Sequence, residues 1–250
     1  MLSRGNDKLG RSIYHWSIPA ITTCPGATEA CKALCYASKG RFRASASKNN
    51  MARNYKLSKS KYFAEAMICE IQAMRHPIIR IHVAGDFYNQ SYIQKWIRIV
   101  KECPHATFFA YTRSWRRPEL LPLLLRLGSL PNMRLWLSAD RLGGEPPRLG
   151  LPIAYMSIDD NDIPPWPVNL VFRAQRKTQQ KFMNGYLVCP VEQGVNRQTH
   201  ITCTKCRLCF QRLNHPHLQK EGASLIYKEA CSQPSCQPKG GALAETRPLT

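Results

Sequence analysis

Seven of the eleven cysteines in this 250-residue chain fall into two groups: Cys24, Cys31 and Cys35 near the front, and Cys189, Cys203, Cys206 and Cys209 toward the end. Thiolate is a soft ligand, and thiolate-only ligation at this density suits iron–sulfur clusters or zinc. Four thiolates can close the coordination of a centre, whereas three leave one metal atom open to a substrate or cofactor. The split into three and four predicts two centres with different work. In the front group, Cys24-x6-Cys31-x3-Cys35, Pro25 and Gly26 let the backbone bend around a metal. An Fe–S cluster with one open iron is the first reading there. Zinc would need a fourth donor, for which His15 and the distant cysteines are the nearest candidates.

The rear group has a compact triple, Cys203-x2-Cys206-x2-Cys209, with Cys189 earlier and followed by Pro190. A triple at x2 spacing plus a remote Cys-Pro is closer to the bacterial ferredoxin arrangement than to a zinc ribbon, which uses two separated pairs. A second Fe–S cluster is expected, with zinc as the alternative at this site. Cys69 and Cys103 stand alone and are expected to pack as small apolar residues. Cys231 and Cys236 receive no role.

A second set of chemistry-bearing residues sits where strands should end. Six strands are expected: Ser12 to Ala20, Ile78 to Val83, Thr107 to Thr112, Met133 to Ser138, Ile153 to Ile158 and Val168 to Phe172. The first runs into the cysteine loop. The others end in Gly85 and Asp86; Tyr111, Thr112 and Arg113; Ser138 and Asp140; Ser157 and Asp159; and Arg173 and Gln175. Gly-Asp and Ser-x-Asp are ordinary turn chemistry one at a time. Repeated over consecutive strands beside a metal loop, they read as the lining of one pocket, because α/β folds collect chemistry at the carboxyl ends of their strands.

Helical stripes separate the strands: Phe63, Met67, Ile71 and Met74; then Ile93, Trp96, Ile97 and Val100, with Ser91 as a candidate N-cap; then Leu120, Leu121, Leu124 and Leu127. This alternation predicts an α/β fold, a full or partial (β/α) barrel of about six parallel strands with a C-terminal cysteine-rich metal module. A doubly wound open sheet is the competitor. The expected divisions are a barrel core over 1–187, the iron–sulfur module over 188–231, and a tail over 232–250 that is rich in Pro, Gly and polar residues and expected to lack fixed structure.

Charge points to a partner. Lys and Arg number 36 against 16 Asp and Glu, a net +20, which nucleic acid would balance. The densest basic stretch contains Lys39, Arg41, Arg43, Lys48, Arg53, Lys56, Lys59 and Lys61, with aromatic neighbours Tyr36, Phe42 and Tyr55 and no acidic residue. These eight are the expected phosphate-gripping set, for DNA or RNA. Trp115, Trp136 and Trp166 read as core or loop packing, and His82 as a satisfied core histidine. The N-terminus lacks the apolar core of a signal peptide, no apolar run approaches the ~20 residues of a membrane span, and clustered cysteines suit a reducing compartment. A cytoplasmic location without a membrane partner is expected.

The segments Cys24-Pro-Gly-Ala-Thr28, Cys31 to Ala37, Arg80 to Asn89, Tyr111 to Ser114 and the closing cysteine triple together resemble the phage and plasmid family called gene product 88, over most of residues 5 to 212. That resemblance implies a mobile genetic element and an Fe–S protein. A wider likeness is to the radical SAM superfamily. It implies Cys24, Cys31 and Cys35 as ligands of a [4Fe-4S] cluster whose open iron binds S-adenosylmethionine, Tyr36 as an aromatic neighbour, and Gly85 with Asp86 as the turn that meets the methionine amine. Here x6 and x3 stand in place of that superfamily's x3 and x2, and Ala84-Gly85-Asp86 in place of Gly-Gly-Glu. On this reading Gly85, Asp86, Arg113, Ser138, Asp140 and Arg173 orient cofactor and substrate. The expected function is that of a radical-SAM-like iron–sulfur protein acting on or bound to nucleic acid. The alternatives are a non-catalytic DNA- or RNA-binding accessory protein with structural or redox-sensing clusters, and a zinc-stabilised scaffold that binds a host protein.

Overall fold

A computed structural model describes residues 1–175, 181–192 and 201–211. Its elements run β1 (Ser3–Arg4), β2 (Ile13–Trp16), α1 (Glu29–Ala33), α2 (Ser45–Lys59), α3 (Phe63–Gln72), β3 (Ile78–Ile81), α4 (Gln90–Glu102), β4 (Thr107–Thr112), α5 (Leu121–Gly128), β5 (Met133–Ala139), β6 (Ile153–Ser157), β7 (Leu170–Arg173), β8 (Phe182–Met183), β9 (Tyr186–Leu187) and α6 (Cys203–Cys206). The expected tail, Cys231 and Cys236 lie outside the described residues.

Among the described residues, β1 to β7 form one sheet in chain order, and β8 pairs with β9 in a hairpin. β2 to β7 are parallel, with registers such as Ile13 opposite Ile78 and Phe108 opposite Met133; β1 joins the edge antiparallel. Every parallel neighbour is therefore the next strand in sequence, so the strand order never reverses as it does in a doubly wound sheet.

Strand pleating sends alternate side chains to opposite faces, and the two faces meet different partners. Trp16, Ile79, Ile81, Phe108, Ala110, Leu135 and Leu137 pack against Phe63, Met67 and Ile71 of α3, Ile93, Trp96 and Val100 of α4, and Leu124 and Leu127 of α5. The other face carries Ile13, Phe109, Trp136, Ala154 and Leu170, and the cysteine-rich segment covers it: Cys203 and Phe210 pack with Ile13 and Phe109, and Cys189, Cys206 and Leu208 with Trp136 and Leu170. The cysteine-rich segment is thus seated on the sheet.

Contacts also tie the two ends of the parallel set. Cys189 N donates to Val171 O at the last strand, while Cys203 N and Thr204 N donate to Lys8 O and Leu9 O ahead of the first. Lys8, just before β2, pairs with Glu192, beyond β7, at 2.8 Å.

Two expectations are corrected, and one stretch gains a structure. The cap of α4 is Asn89, whose side chain accepts from Tyr92 N at 2.9 Å, and Ser91 lies inside the helix. Cys69 is exposed on the outer side of α3, whereas Cys103 is buried as anticipated. The basic stretch folds in part as α2, a 15-residue helix whose buried side is Met51, Asn54 and Ser58. Among the described residues no helix is long and apolar enough to cross a membrane.

Candidate functional site

The front cysteine loop leaves β2 and returns as α1, where Thr28 is the N-cap and accepts from Cys31 N at 3.0 Å. The same hydroxyl donates to Asp140 Oδ2 at 2.6 Å, just past β5. Asp140 also receives Arg113 Nη1 at 2.5 Å from the end of β4 and, through Oδ1, Gly143 N at 2.8 Å. Arg116 donates to Gly26 O at 2.9 Å. At Gly26 a Cβ would run into the Arg113 carbonyl, so glycine is what lets the loop lie against β4's end. Two hydrogen bonds and the close fit at Gly26 therefore hold the cysteine loop to the carboxyl ends of β4 and β5.

Asp86, just past β3, is bonded to the end of β4. Its Oδ1 accepts from Thr112 Oγ1 and Phe87 N, each at 2.7 Å, and its Oδ2 from Arg113 N at 2.8 Å. Burial raises its pKa, against which these hydrogen bonds act. Gly85 has φ +86°, and a Cβ there would meet Ile18 and Thr23, the segment leading into the cysteine loop. Gly85, Asp86, Arg113 and Asp140 are thus brought together with the front thiols.

The three thiols are half-buried and free. Burial pushes Cys24 up to about 12, and Asp86, Cys31 and Cys35 add to it. Burial likewise raises Cys31, opposed by Arg113 and reinforced by Cys35, Asp140 and Asp86. The three cysteines therefore interact with one another above a buried pair of carboxylates. Without a cation, Cys24 and Cys31 stay protonated; a metal would supply the charge that deprotonates them.

The remaining strand-end residues are placed differently. Ser138 is half-buried on the strand face that carries Trp136, and its carbonyl accepts from Trp115 Nε1 at 2.8 Å. Ser157 Oγ donates to Asp159 O in the turn after β6. Arg173 is buried and pairs with Asp160 in that same turn at 2.7 Å, while its N–H donates to Glu192 at 3.3 Å.

The rear thiols sit on the sheet. Burial raises Cys189, Cys203 and Cys209, the last to about 12, and the causes include neighbouring cysteines: Cys203 and Cys209 act on Cys189, and Cys203 and Cys206 act on Cys209. All four are therefore one group. Trp136 Nε1 donates to Cys209 O at 2.9 Å, and Thr202 caps α6. Arg80, in the middle of an apolar strand, lies 5.5 Å over the Tyr111 ring and favours charge on Cys203 and Cys209. Among the described residues no group of three or more His, Cys, Asp or Glu side chains is arranged to hold a single metal ion. His15 lies on the rear face, where burial and Arg80 lower its pKa to about 4.

His82 is buried at φ +61°, hydrogen-bonded to Tyr92 at 2.9 Å, and burial followed by Arg80 lowers it to about 3. Trp115 and Trp136 are buried and Trp166 packs against Tyr155. All eight basic residues from Lys39 to Lys61 are exposed. Sequence reading missed Thr28, Arg80, Lys8 and Glu192. Thr28 carried a signal, a capping residue three before Cys31, as did Arg80, a lone cation in Ile-Ile-Arg-Ile; Lys8 and Glu192 lie far apart in sequence and carried none.

Two curated relatives, each named Gene 88 protein, come from Mycobacterium phage L5 and Mycobacterium phage D29. Both are 28% identical to this chain over 129 residues, 47% of this chain and 52% of theirs. The chain spans about half the length of the curated relatives it matches. No solved structure matches it significantly. The family described as Gene product 88 matches residues 1–212, a span that takes in both cysteine groups and ends three residues past Cys209, and the chain belongs to that family.

Proposed function

We propose that this protein is an iron–sulfur protein of a mobile genetic element, radical-SAM-like at its front centre, that acts on or while bound to nucleic acid. The observation that carries this reading is the gathering of Cys24, Cys31 and Cys35 beside Asp86, Arg113 and Asp140 at the carboxyl ends of parallel strands. The donor sets fit clusters by their chemistry. Each is thiol-only and internally coupled, and a cluster spreads its ligating sulfurs over several iron atoms, whereas one zinc would draw sulfurs to about 3.8 Å of each other, given Zn–S bonds of about 2.3 Å. Cys24, Cys31 and Cys35 would hold the front [4Fe-4S] cluster, and Cys189, Cys203, Cys206 and Cys209 the rear one.

Such a group supplies one-electron reduction and, with three protein ligands, an iron open to S-adenosylmethionine. The chain's own residues position and shield. Asp86 has both oxygens engaged and locks β3 to β4, while Arg113 and Asp140 fix the height of the cysteine loop above the strands. Ser138, half-buried on the rear face and outside these bonds, would be the group left to meet a cofactor. Chain-order parallel strands and the Lys8–Glu192 pair across their ends support a partial (β/α) barrel over 1–187, with the cysteine-rich module beginning at 188.

Protein purified without oxygen should carry iron and acid-labile sulfide with a broad brown absorption. With S-adenosylmethionine and dithionite it should release 5′-deoxyadenosine. Iron-free, colourless protein holding stoichiometric zinc would replace this reading with a zinc-stabilised scaffold for a host protein. Iron and sulfide without 5′-deoxyadenosine would leave a second reading, a DNA- or RNA-binding accessory protein with structural or redox-sensing clusters. The exposure of all eight basic residues favours that reading. Titration of nucleic acid at two salt concentrations tests it, since phosphate contacts weaken as salt rises.

A further inference from the structure

A pocket of about 340 Å³ opens beside the front cysteine loop. Pro19 and Ala20 line it where the chain leaves β2 for Cys24, and Phe42, Arg43, Lys48 and Met51 line it from the start of α2 and the turn before it. One wall is thus apolar and aromatic, and the rim holds two cations. Phe42 is half-buried and steadied edge-on by Tyr36 at 5.8 Å. From residue 30 to residue 64 the chain has no acidic residue, and Arg43, Lys48 and Lys56 have no carboxylate partner among the described residues. Lys48, Lys56 and Lys59 fall within one side of α2, a stripe about 16 Å long at ~1.5 Å per residue.

We propose that this pocket takes one unpaired nucleotide of a single-stranded polynucleotide whose phosphates run along α2. Three features choose a single strand over a duplex. At the small end of ligand-site volumes, about 300 to 1,000 Å³, the pocket holds a base and its sugar and not a base pair. An aromatic wall can stack only on a base that has left its own stack, which a single strand offers without the cost of unpairing. The lysine stripe follows one backbone. Pro19 and Ala20 continue into the loop of Cys24, so the seated nucleotide borders the front centre. The inference rests on the nucleic-acid part of the proposed function and adds where the strand enters and in what form.

The test is fluorescence anisotropy on the full chain with labelled 12-nucleotide single-stranded DNA, single-stranded RNA and duplex DNA, each at two salt concentrations. Single strands should bind at least tenfold tighter than duplex, and the two single-stranded arms identify the sugar. Phe42→Ala should weaken single-strand binding about tenfold, the scale of one base stacked on one ring, with an unchanged salt slope. Ala37 also lines the pocket, and Ala37→Trp, which fills it, should do the same and guards against misfolding of the Phe42 variant. Lys48→Gln should lower the salt slope by about 0.7. Equal affinity for duplex and single strand, or full binding by both Phe42→Ala and Ala37→Trp, overturns the pocket and leaves the nucleic-acid reading standing. No binding by any probe overturns both.

Discussion

The two cysteine groups share an element, a short helix capped by threonine, and differ in almost everything around it. The front group is half-buried, hangs over the strand ends, and is held by charged groups: Arg113 against Asp140, with Thr28 between them. The rear group is largely buried against Trp136, Phe109 and Leu170, and its backbone bonds reach both Val171 and Lys8. The front loop is held by a few polar bonds at the strand ends, whereas the rear segment bonds to both ends of the parallel set. On the function proposed above, chemistry belongs to the front and cohesion to the rear, a contrast open to direct attack.

The strongest attack removes ligands from one group at a time. Cys203→Ser with Cys206→Ser should lower the melting temperature by about 10 °C or more, because a structural metal site contributes its binding energy to folding. Cys31→Ser with Cys35→Ser should shift it by no more than about 4 °C, about 1 kcal/mol in a chain of this size, while the iron content falls. Differential scanning fluorimetry and iron analysis on the same samples decide it. Equal losses from the two pairs would dissolve the distinction.

Ion pairs give the next contrast. Asp140→Ala leaves Arg113, whose side chain is 8% exposed, as an unpaired buried cation, and should cost about 3 to 5 kcal/mol. Glu192→Ala unpairs Lys8, whose side chain is 41% exposed, and takes the acceptor from the buried Arg173 N–H; its loss should be about 2 kcal/mol. Urea unfolding of the two variants measures the gap, and a larger loss at Glu192 would mean that the rear closure carries more than its apolar contacts.

How much of this was legible in the sequence follows from where the signals lay. The parallel strands were readable because helical stripes separate the earlier ones and proline-marked loops bound β6 and β7, and the strand-end residues Gly85, Asp86, Arg113 and Asp140 did converge with the cysteine loop. Helix α2 was not readable as a helix: its buried side is Met51, Asn54 and Ser58, and Asn54 satisfies itself on Ser17 O at 2.9 Å, so no apolar stripe marks it. Asn89 outcompeted Ser91 as a cap because its side chain meets Tyr92 N, a matter of backbone geometry that composition does not carry. The rear segment's seat on the sheet depends on Lys8 and Glu192 meeting across 184 positions, beyond the reach of local periodicity.

Acid should separate the regions more gently. His82, under the Gly85–Asp86 turn, has a folded pKa of about 3, and His15, on the rear face, one of about 4. Both lie below the unfolded value of about 6.5. The unfolded chain therefore binds more protons below that value. Stability is full above about pH 6.5 and falls with pH, by about 1.4 kcal/mol per unit for each histidine, down to its folded pKa. From pH 6.5 to 5 each contributes a loss of about 2 kcal/mol. His82→Asn, which suits the positive φ, and His15→Gln should each flatten the unfolding free energy against pH by about one proton. A slope that keeps its full steepness in both variants would place the acid sensitivity elsewhere.

The smallest effect is the finest measure of the contrast. Thr28 and Thr202 do the same job at the starts of α1 and α6, each accepting a backbone N–H from three residues on, at 3.0 and 3.4 Å. Loss of a threonine cap costs about 1 kcal/mol on average. Thr28 has a second bond, its hydroxyl donating to buried Asp140, so Thr28→Ala also takes away one of the donors that satisfy that carboxylate and should cost nearer 2 kcal/mol. Thr202→Ala, with its longer bond, should cost about 0.5 kcal/mol. The same order should hold for metal retention. Thr28→Ala frees the loop of Cys31 from the strand ends and should speed iron loss from the front centre to a chelator, whereas the rear centre, sealed by Trp136 and Cys189, should keep its metal in Thr202→Ala. Chelator-chase kinetics on the two variants report this directly, and faster release from Thr202→Ala would show that the rear centre is the exposed one.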